Sequence, residues 1–258
     1  MSGLISEPGE SRAEERRDAP SISVVVPALN EQETVQRAVE WTLSVLAEMT
    51  HDYEVVVVDD GSTDETGRIA DALAARSTHV RVIHNATPSG YGGALASGFT
   101  AARKELIGLI TADCEFHPTD LPQFVEAIRD ADIVTSVVPY RPLPFYRKVL
   151  SWGWRTCVRV LVGELPRIEG TFMIRNQLFR SLRVESRSGM YVMEMLIKAR
   201  CQGVRTNVIA IDVHPRPDMS KSKVANLRTV IAVFKEILAL KRRLASAKSR
   251  AERGSTTA

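Results

Sequence analysis

The stretch EVVVVDDGSTDETG, residues 54–67, decides the fold of this chain. It opens with a β-branched apolar run, Glu54 to Val58, which is the pattern of a strand buried on both faces. Asp59, Asp60 and the small polar residues after them favour a turn and the start of a helix. A helix over Thr66–Ser77 completes the unit. The stretch therefore predicts a strand, a turn with two carboxylates and a helix.

The same alternation of strand and helix recurs along the chain, which predicts an α/β fold with a mostly parallel sheet and right-handed crossovers. The other predicted strands lie at residues 22–26, 80–84, 106–110, 131–138, 170–174 and 204–214. The other predicted helices are residues 31–49, a helix opened by a glycine-rich segment and ending near Arg103, residues 119–129 and residues 190–202.

Four polar or glycine-rich segments follow strands of this predicted sheet. They are Pro27–Asn30, Asp59–Asp60, Gly90–Gly93 and Asp113–Glu115. Parallel strands present their carboxyl ends at one edge of the sheet, and ligands of α/β proteins bind outside that edge. The sequence therefore predicts one site, assembled from all four segments.

The carboxylate pair Asp59 and Asp60 has a structural and a functional interpretation. A single aspartate is enough to cap the next helix, so the second is redundant for capping alone. A carboxylate at this place can accept hydrogen bonds from a nucleobase N–H and from ribose hydroxyls. The strand, turn and helix around the pair favour the functional interpretation. The glycine-rich loop Ser89–Gly93 is weaker on its own, but its N–H groups open a helix and are suited to an anionic ligand.

The segment LITADCEFHP, residues 109–118, ends a strand in carboxylates. Asp113 and Glu115 lie two residues apart and offer hard oxygen ligands, which suit Mg²⁺ or Mn²⁺, and Thr111 offers a neutral hydroxyl. His117 is a further candidate ligand, although a surface histidine is the simpler interpretation. Cys114 stands between two carboxylates, so we expect a raised thiol pKa and no nucleophilic role.

Composition excludes several classes of protein. The net charge of +3 over 258 residues is too small to indicate nucleic-acid binding. Three scattered cysteines, without CxxC spacing, disfavour disulfides and structural zinc and suit a reducing cytoplasm. Residues 1–20 lack an apolar signal-peptide core, and no apolar run approaches the ~20 residues that cross a bilayer. We expect a cytoplasmic protein.

The domain boundaries follow from the same patterns. We predict a disordered arm at 1–20, a domain at 21–222 and a disordered tail at 245–258. The domain divides into a nucleotide half, 21–138, and an acceptor half, 139–222, and an amphipathic helix follows at 223–244.

Two basic amphipathic helices distinguish the second half of the chain. Residues 144–163 combine four aromatic side chains with Arg and Lys, and residues 223–244 carry an apolar stripe flanked by basic residues. Such helices suit a membrane interface, where aromatic rings and cations meet the headgroups. Packing on the core or at a homodimer seam is the alternative.

Five stretches together resemble a known family. ISVVVPALNEQETV, EVVVVDDGSTDETG, GYGGALASGFTAA, TADCEFHPTDLPQF and HPRPDMSKSKVANLRTVI occur in that order. They are similar to family-2 inverting glycosyltransferases with the Rossmann-like GT-A fold, above all to the dolichyl-phosphate mannose synthase branch. The resemblance covers about residues 21–243. It implies a nucleotide-sugar donor, a divalent cation and a polyprenyl phosphate acceptor.

The resemblance also implies roles for particular residues. Those that match the nucleotide-sugar segments of the family are Pro27, Leu29, Glu31, Val58, Asp59, Asp60 and Ala112. Asp113 and Glu115 match the metal and diphosphate segment, and Asp113 is the expected centre of the catalytic site. Arg141 resembles an arginine that steadies the diphosphate. Arg216, Ser220 and Lys221 resemble the segment that closes over it. Glu194 matches an acidic residue on the acceptor side.

Three departures from the family pattern bear on these roles. Thr111 replaces the first carboxylate of a D-x-D motif, and Glu115 replaces a glutamine. Met219 stands near the expected glycine of the closing segment, which is also one residue short. Arg167-Ile168-Glu169 stands where the family has an aspartate shortly before the glycine. The changes at the strand end are compatible with a shifted metal site and equally with metal-independent or impaired catalysis.

The acceptor decides the mechanism. A hydroxyl acceptor needs a general base, for which Glu194 is the candidate, whereas a polyprenyl phosphate is already an anion and needs none. We therefore expect hexose transfer, with inversion, to a dolichyl or undecaprenyl phosphate at the cytoplasmic membrane face. The alternatives are an inverting transferase with a soluble hydroxyl acceptor and a nucleotide-binding homologue with impaired catalysis. The sequence alone does not distinguish GDP-mannose from UDP-glucose as donor.

Overall fold

A computed structural model describes residues 19–139, 156, 159, 168, 170–187 and 190–212 of the chain. The two predicted basic amphipathic helices lie almost wholly outside these residues. The predicted arm, tail and domain boundaries also fall largely outside them, and so they stay predictions. In the described part of the chain, no helix is long and apolar enough to cross a membrane.

Seven strands form one mixed sheet with the order β3-β2-β1-β4-β6-β5-β7. Strand β6 is antiparallel to both of its neighbours, and the other adjacent pairs are parallel. The strands are β1 (Ile22–Ala28), β2 (Tyr53–Asp59), β3 (Val80–His84), β4 (Leu106–Leu109), β5 (Ile133–Val137), β6 (Phe172–Arg175) and β7 (Thr206–Ala210). The predicted α/β class and mostly parallel sheet are confirmed.

Six α-helices and one short 3₁₀ helix, Pro118–Asp120, connect or flank the strands in the described residues. The helices are α1 (Val35–Met49), α2 (Thr66–Arg76), α3 (Gly90–Ala101), α4 (Leu121–Ala127), α5 (Asn176–Leu182) and α6 (Tyr191–Cys201). Helix α1 buries Val35, Ala38, Val39, Thr42 and Leu46, a spacing that places one stripe of the helix against the sheet.

The apolar runs of the central strands fill two cores, one on each face of the sheet. Val55 and Val57 pack with α1 and α2 in one core, whereas Val56 and Val58 pack with α3 and α6 in the other. This alternation follows from the two-residue period of a strand, and it explains why these strands are apolar throughout. Helix α3 comes very close to the sheet at Gly98, where an added Cβ would lie 2.3 Å from Val25 Cγ1.

Two features of the fold were not predicted, and one predicted helix differs from the structure. Strand β6 is inserted between β4 and β5, with Gly108 opposite Met173, so the strands do not follow one another as a simple parallel series. Helix α5 was not predicted. The expected helix over 119–129 is the 3₁₀ turn followed by α4, which ends at Ala127.

Candidate active site

Asp59 ends β2 as a buried carboxylate with both oxygens hydrogen-bonded. Its Oδ1 accepts from the backbone N–H of Ser62 at 3.0 Å, and its Oδ2 lies 2.9 Å from Nδ1 of His84. Burial alone would raise the pKa of Asp59, but the hydrogen bonds from Ser62 and His84 hold it below its ordinary value. The carboxylate is therefore ionised and fixed in direction.

Asp60 is more deeply buried, at 2% exposure, and its carboxylate contacts the segment after β3. Its Oδ1 accepts from Asn85 Nδ2 at 2.7 Å and from the hydroxyl and backbone N–H of Ser89 at 2.6 and 2.9 Å. Its Oδ2 accepts from the N–H of Gly90 at 2.8 Å. Asp59 and Asp60 each hold a different loop, and neither provides a side-chain cap for the helix that follows β2.

The glycine-rich segment is the first turn of a helix rather than a loop. Helix α3 begins at Gly90, and the N–H groups of Ser89 and Gly90 point at Asp60. The anion at this helix terminus is therefore a side chain of the protein, which accepts hydrogen bonds from two N–H groups at the start of the helix. An external anion would have to use other donors of the segment.

The loop after β1 is joined to the turn after β2 by side chains from both. Asn30, which has a positive φ of 55°, accepts the N–H of Thr63 at its Oδ1 and donates its own N–H to Ser62 Oγ. The N–H of Glu31 donates to Thr66 Oγ1 at 2.8 Å, and that hydroxyl donates to Asp64. These contacts place the predicted residue Glu31 at the same edge as Asp59.

The turn after β4 orients Asp113. Oδ1 of Asp113 accepts from the hydroxyl of Thr111 at 2.6 Å and from the N–H of Glu115 at 3.1 Å. Cys114 closes the turn by donating its N–H to the carbonyl of Thr111, and it has a positive φ of 55°. Thr111, which stands in place of the first carboxylate of the D-x-D motif, therefore donates a hydrogen bond to Asp113, the second carboxylate.

The neighbours of Asp113 differ in burial. Glu115 is 7% exposed and Cys114 is 5% exposed, while Asp113 is half-buried. The raised pKa predicted for the Cys114 thiol is confirmed, with burial as the main cause and the charges of Asp113 and Glu31 as lesser ones. The ring of His117 lies 4.4 Å from that of Trp41 on α1, so it packs as an aromatic neighbour.

Two of the predicted nucleotide residues, Val58 and Ala112, present mainly backbone to the edge. Val58 and Ala112 have side chains buried in the two cores, and Val58 faces the close approach of Gly98. Pro27 lies beyond the last β1 residue paired with β4, and Leu29 follows it, half-buried. Any ligand contact at Val58 or Ala112 therefore involves main-chain atoms.

Glu194 lies on α6 and is 1% exposed. Its Oε1 lies 2.7 Å from Lys198 Nζ and accepts the N–H of Glu185, and its Oε2 accepts the N–H of Ser186 at 2.8 Å. Burial would raise the pKa of Glu194, but these partners, Lys198 first, keep it below the ordinary value. The carboxylate anchors residues 185–186 to α6. Its predicted catalytic role stays a prediction.

Three predicted site residues, Arg141, Arg216 and Lys221, lie outside the described residues. The structure adds two residues that were not predicted as parts of the site, His84 and Asn85. Together with Ser89 of the predicted glycine-rich segment, they complete the hydrogen bonds of the two aspartates. Tyr91 lies in the first turn of α3 and is half exposed. The polar residues at the end of β3 and directly after it were the sequence signal that could have indicated His84 and Asn85.

Comparison with known proteins shows the family of this chain and supports its fold class. Residues 23–198 match the family described as Glycosyl transferase family 2, and the chain therefore belongs to that family. The predicted enzyme class, a glycosyltransferase, is confirmed.

Two relatives illustrate the range of the family. Glycosyltransferase AglD of Haloferax volcanii is 31% identical over 245 residues, which cover 88% of this chain and 39% of AglD. Undecaprenyl-phosphate mannosyltransferase of Micrococcus luteus is 33% identical over 150 residues, or 55% of this chain and 60% of that protein. The aligned part thus spans less than two thirds of the length of either relative.

Among solved structures, glucosyl-3-phosphoglycerate synthase of Mycobacterium tuberculosis has the same fold. Its complex with Mn²⁺, UDP-glucose and phosphoglyceric acid superposes with a TM-score of 0.64 and 22% identity, over 90% of this chain and 81% of that one. The fold of the present chain is that of GT-A glycosyltransferases.

Proposed function

We propose that this glycosyltransferase moves a hexose from a nucleotide sugar to a polyprenyl phosphate, with inversion at the anomeric carbon. A phosphate oxygen of the acceptor forms the new bond to that carbon while the bond to the nucleoside diphosphate breaks. The acceptor named for the Micrococcus luteus relative, undecaprenyl phosphate, supports this choice.

The observation that carries the proposal is the state of Glu194. A general base works best with a pKa near the operating pH and within reach of the acceptor proton. Glu194 instead is fully buried, has a lowered pKa and is shared among Lys198 and two backbone N–H groups. An acceptor that is already an anion needs no base. A phosphate acceptor is therefore compatible with the hydrogen bonds and the ion pair that already engage Glu194.

The donor site is proposed at the edge formed by the loops after β1, β2 and β4. Pro27, Leu29 and Glu31 would line the nucleotide, and the Val58–Asp60 segment would hold the base and ribose. Oδ2 of Asp59 and Oδ2 of Asp60 each have one identified hydrogen-bond contact, so each keeps a lone pair for a ligand. For the diphosphate, the proposed cationic partners are Arg141, Arg216 and Lys221, by family resemblance alone.

A divalent cation fits the donor set at the β4 turn. Mg²⁺ is typically held by one or two carboxylates together with substrate phosphate oxygens, rather than by a cage of protein ligands. In the described residues no three His, Cys, Asp or Glu side chains form such a cage, but Asp113 and Glu115 offer the carboxylates. Bound there, Mg²⁺ or Mn²⁺ would neutralise charge on the departing diphosphate. Ala112 and Thr111 shape the turn that presents Asp113.

A soluble hydroxyl acceptor is the second candidate. The synthase with the same fold is described in complex with phosphoglyceric acid, a soluble acceptor. Under this alternative Glu194 would have to exchange its present partners for the acceptor hydroxyl. Peripheral attachment to the inner membrane face belongs to the first proposal only, since a lipid acceptor has to be reached at a bilayer surface.

The two proposals separate in one assay. The intact chain is incubated with detergent-solubilised undecaprenyl phosphate and a panel of labelled nucleotide sugars, including GDP-mannose and UDP-glucose, with Mg²⁺ or Mn²⁺. We expect an organic-soluble lipid-linked sugar whose anomeric configuration, read by NMR, is inverted relative to the donor. The donor that gives product identifies the sugar. Product formed only on soluble hydroxyl acceptors would contradict the proposal.

The variant Glu194→Gln sharpens this result. Gln keeps an oxygen for the backbone N–H groups of residues 185 and 186 but removes the charge. We expect it to retain substantial activity on the lipid acceptor, because no proton has to be taken. Lys198→Met is the matched control, since it breaks the same ion pair without changing the carboxylate. Loss of activity in Glu194→Gln, with Lys198→Met active, would point to a base and to the hydroxyl acceptor.

A further inference from the structure

His84, at the end of β3, lies between two carboxylates from different elements. Its Nδ1 is 2.9 Å from Oδ2 of Asp59 on β2, and its Nε2 is 3.0 Å from Oδ1 of Asp71 on α2. The His84 side chain is 45% exposed and that of Asp71 is 62% exposed, whereas Asp59 is buried. The imidazole thus bridges the solvent-facing side of α2 and a carboxylate inside the candidate site.

The protonation state of His84 follows from this geometry. Ionised carboxylates accept hydrogen bonds and donate none, so each ring nitrogen has to carry a proton to make its contact. A neutral imidazole has only one N–H, and only the imidazolium can donate to both aspartates. Hydrogen bonds to Asp59 and then Asp71 raise the pKa of His84 against the opposing effect of burial, which agrees with the bridging geometry.

Asp59 transmits the position of His84 to two loops. While Oδ2 is held by His84, Oδ1 receives the N–H of Ser62, and Ser62 Oγ receives the N–H of Asn30. A continuous path of hydrogen bonds therefore runs from the end of β3 to the loop after β1. Charge-assisted bonds of this kind fix direction more strongly than neutral ones.

Helix α2 leaves little room for another arrangement. A Cβ added to Gly67 would lie 2.6 Å from Asp59 Oδ2 and 3.4 Å from Cε1 of His84. The backbone of α2 thus packs closely against the contact between Asp59 and His84. Replacing Gly67 with alanine would force Asp59 or His84 to move, because a separation under 3.0 Å is not tolerated.

We propose that His84 is a positioning residue of the nucleotide site, which as an imidazolium holds Asp59 in the orientation that the loops after β1 and β2 require. The proposal rests on the proposed function for its ligand, a nucleoside diphosphate. The charged groups that act on the ring are Asp59 and Asp71, and Arg81 on the same strand is paired with Glu54 instead. Nucleotide affinity is then highest below the raised pKa of His84 and falls as the pH rises through it.

NMR of the nucleotide-free chain tests the positioning step by itself. The ring signals of His84 are assigned by their loss in His84→Asn and followed from pH 5 to 9 together with the amide of Ser62. We expect His84 to titrate above about 6.5, the ordinary histidine value. The Ser62 amide should shift with the same midpoint, and Asp71→Asn should lower it. An ordinary midpoint unchanged by Asp71→Asn overturns the proposal.

Nucleotide binding gives the second readout. UDP and GDP are titrated calorimetrically across the same pH range, with Mg²⁺ present. His84→Leu should weaken binding of the preferred nucleotide about tenfold at pH 6, because the Asp59 partner is lost. His84→Asn keeps a donor toward Asp59 but has no proton to lose, so it should bind well and show only the pH dependence of the nucleotide's terminal phosphate, which titrates at about pH 6 in every variant. A fall in the affinity of His84→Asn above pH 7, like that of the wild type, would overturn the proposal.

His79→Gln is the matched control. This histidine lies just before β3, at its amino end, where the ring stacks on Tyr53 at 4.1 Å, far from the site edge. It should leave both the affinity and its pH profile unchanged. If wild-type chain binds neither UDP nor GDP at any pH, the proposed function fails, and the coupled titration of His84 and Ser62 still decides the positioning role.

Discussion

The loops after β1, β2 and β3 differ from the turn after β4 in how their side chains are held. The first three are joined to one another by hydrogen bonds between residues about 25 to 33 positions apart, centred on Asn30, Asp59 and Asp60. In the β4 turn, the hydrogen bonds identified on Asp113 come from Thr111 and Glu115, two residues away on either side. One region is a shared framework and the other is a local turn.

This difference suggests that substitutions in the two regions have different effects. A framework that spans three strand ends cannot lose one member without disturbing the others, so its substitutions should affect stability first. A local turn that presents one carboxylate can change charge while its backbone persists. Both regions contain a non-glycine residue with φ of 55°, Asn30 in one and Cys114 in the other, and such conformations persist only when the surroundings enforce them.

Asp60→Ala tests the framework and has the largest expected effect. It removes a carboxylate that is 2% exposed and leaves donors of Asn85, Ser89 and Gly90 without their acceptor. Because unsatisfied buried donors are costly, we expect the free energy of unfolding to fall by about 4 kcal/mol. Chemical denaturation monitored by circular dichroism measures it, and the melting temperature should fall by about 10 °C.

Asp60→Asn is the control for this prediction. Asparagine keeps one carbonyl oxygen for Ser89 and Asn85 but turns the other acceptor into a donor that faces the N–H of Gly90. We expect a smaller loss of stability than for alanine. If Asp60→Ala unfolds at the wild-type denaturant concentration, the three loops are not a shared framework.

The sequence predicts where the framework lies but not which residues are hydrogen-bonded to one another in it. The apolar runs predict the sheet, and the segments at strand ends predict the edge where the candidate site lies, because strand burial and parallel topology follow from local pattern. They do not reveal that Asp60 accepts hydrogen bonds from Ser89 and Gly90, because these residues are about thirty positions from Asp60 in the sequence. For the same reason the pairing of β6 with β4, across more than sixty residues, was not predicted.

Asp113→Asn tests the local turn and has the second largest effect. Asn keeps an oxygen that can accept from Thr111 and from the N–H of Glu115, so the turn should persist and the free energy of unfolding should change by less than about 1 kcal/mol. The charge that would face the cation and diphosphate is lost. We expect kcat/KM to fall about 100-fold, equivalent to about 2.7 kcal/mol of transition-state stabilisation.

The measurement is transfer to undecaprenyl phosphate at several concentrations of Mn²⁺. Wild-type activity should rise with Mn²⁺ to a plateau, and Asp113→Asn should need a higher concentration. Equal metal dependence of the two proteins would show that Asp113 does not face the cation. A large loss of stability in Asp113→Asn would show that the β4 turn belongs to the framework after all.

Thr111→Val tests how the turn orients Asp113. Valine matches threonine in shape but cannot donate to Oδ1, so the 2.6 Å hydrogen bond is lost. We expect about a tenfold fall in kcat/KM with stability nearly unchanged, because one orienting bond is worth about 1.4 kcal/mol. Thr111→Ser, which keeps the hydroxyl, should retain most activity. A Thr111→Val enzyme as active as wild type would mean that Thr111 merely fills space.

Acid should loosen the hydrogen bonds that Asp59 and Asp64 accept, and this is the smallest expected effect. Hydrogen bonds lower the pKa of Asp59 and Asp64 below 3.8, their ordinary value, despite burial. Their stabilising contribution is therefore complete above pH 3.8 and is lost as the pH falls through the lowered values.

Amide hydrogen exchange measures this effect. Exchange at Ser62 and Thr66, whose N–H groups donate to these carboxylates, should speed up below that pH. Asp64→Asn should abolish the change at Thr66 and leave that at Ser62. The Cys114 amide, bonded to the Thr111 carbonyl rather than to a carboxylate, should exchange at a rate that follows solvent pH alone.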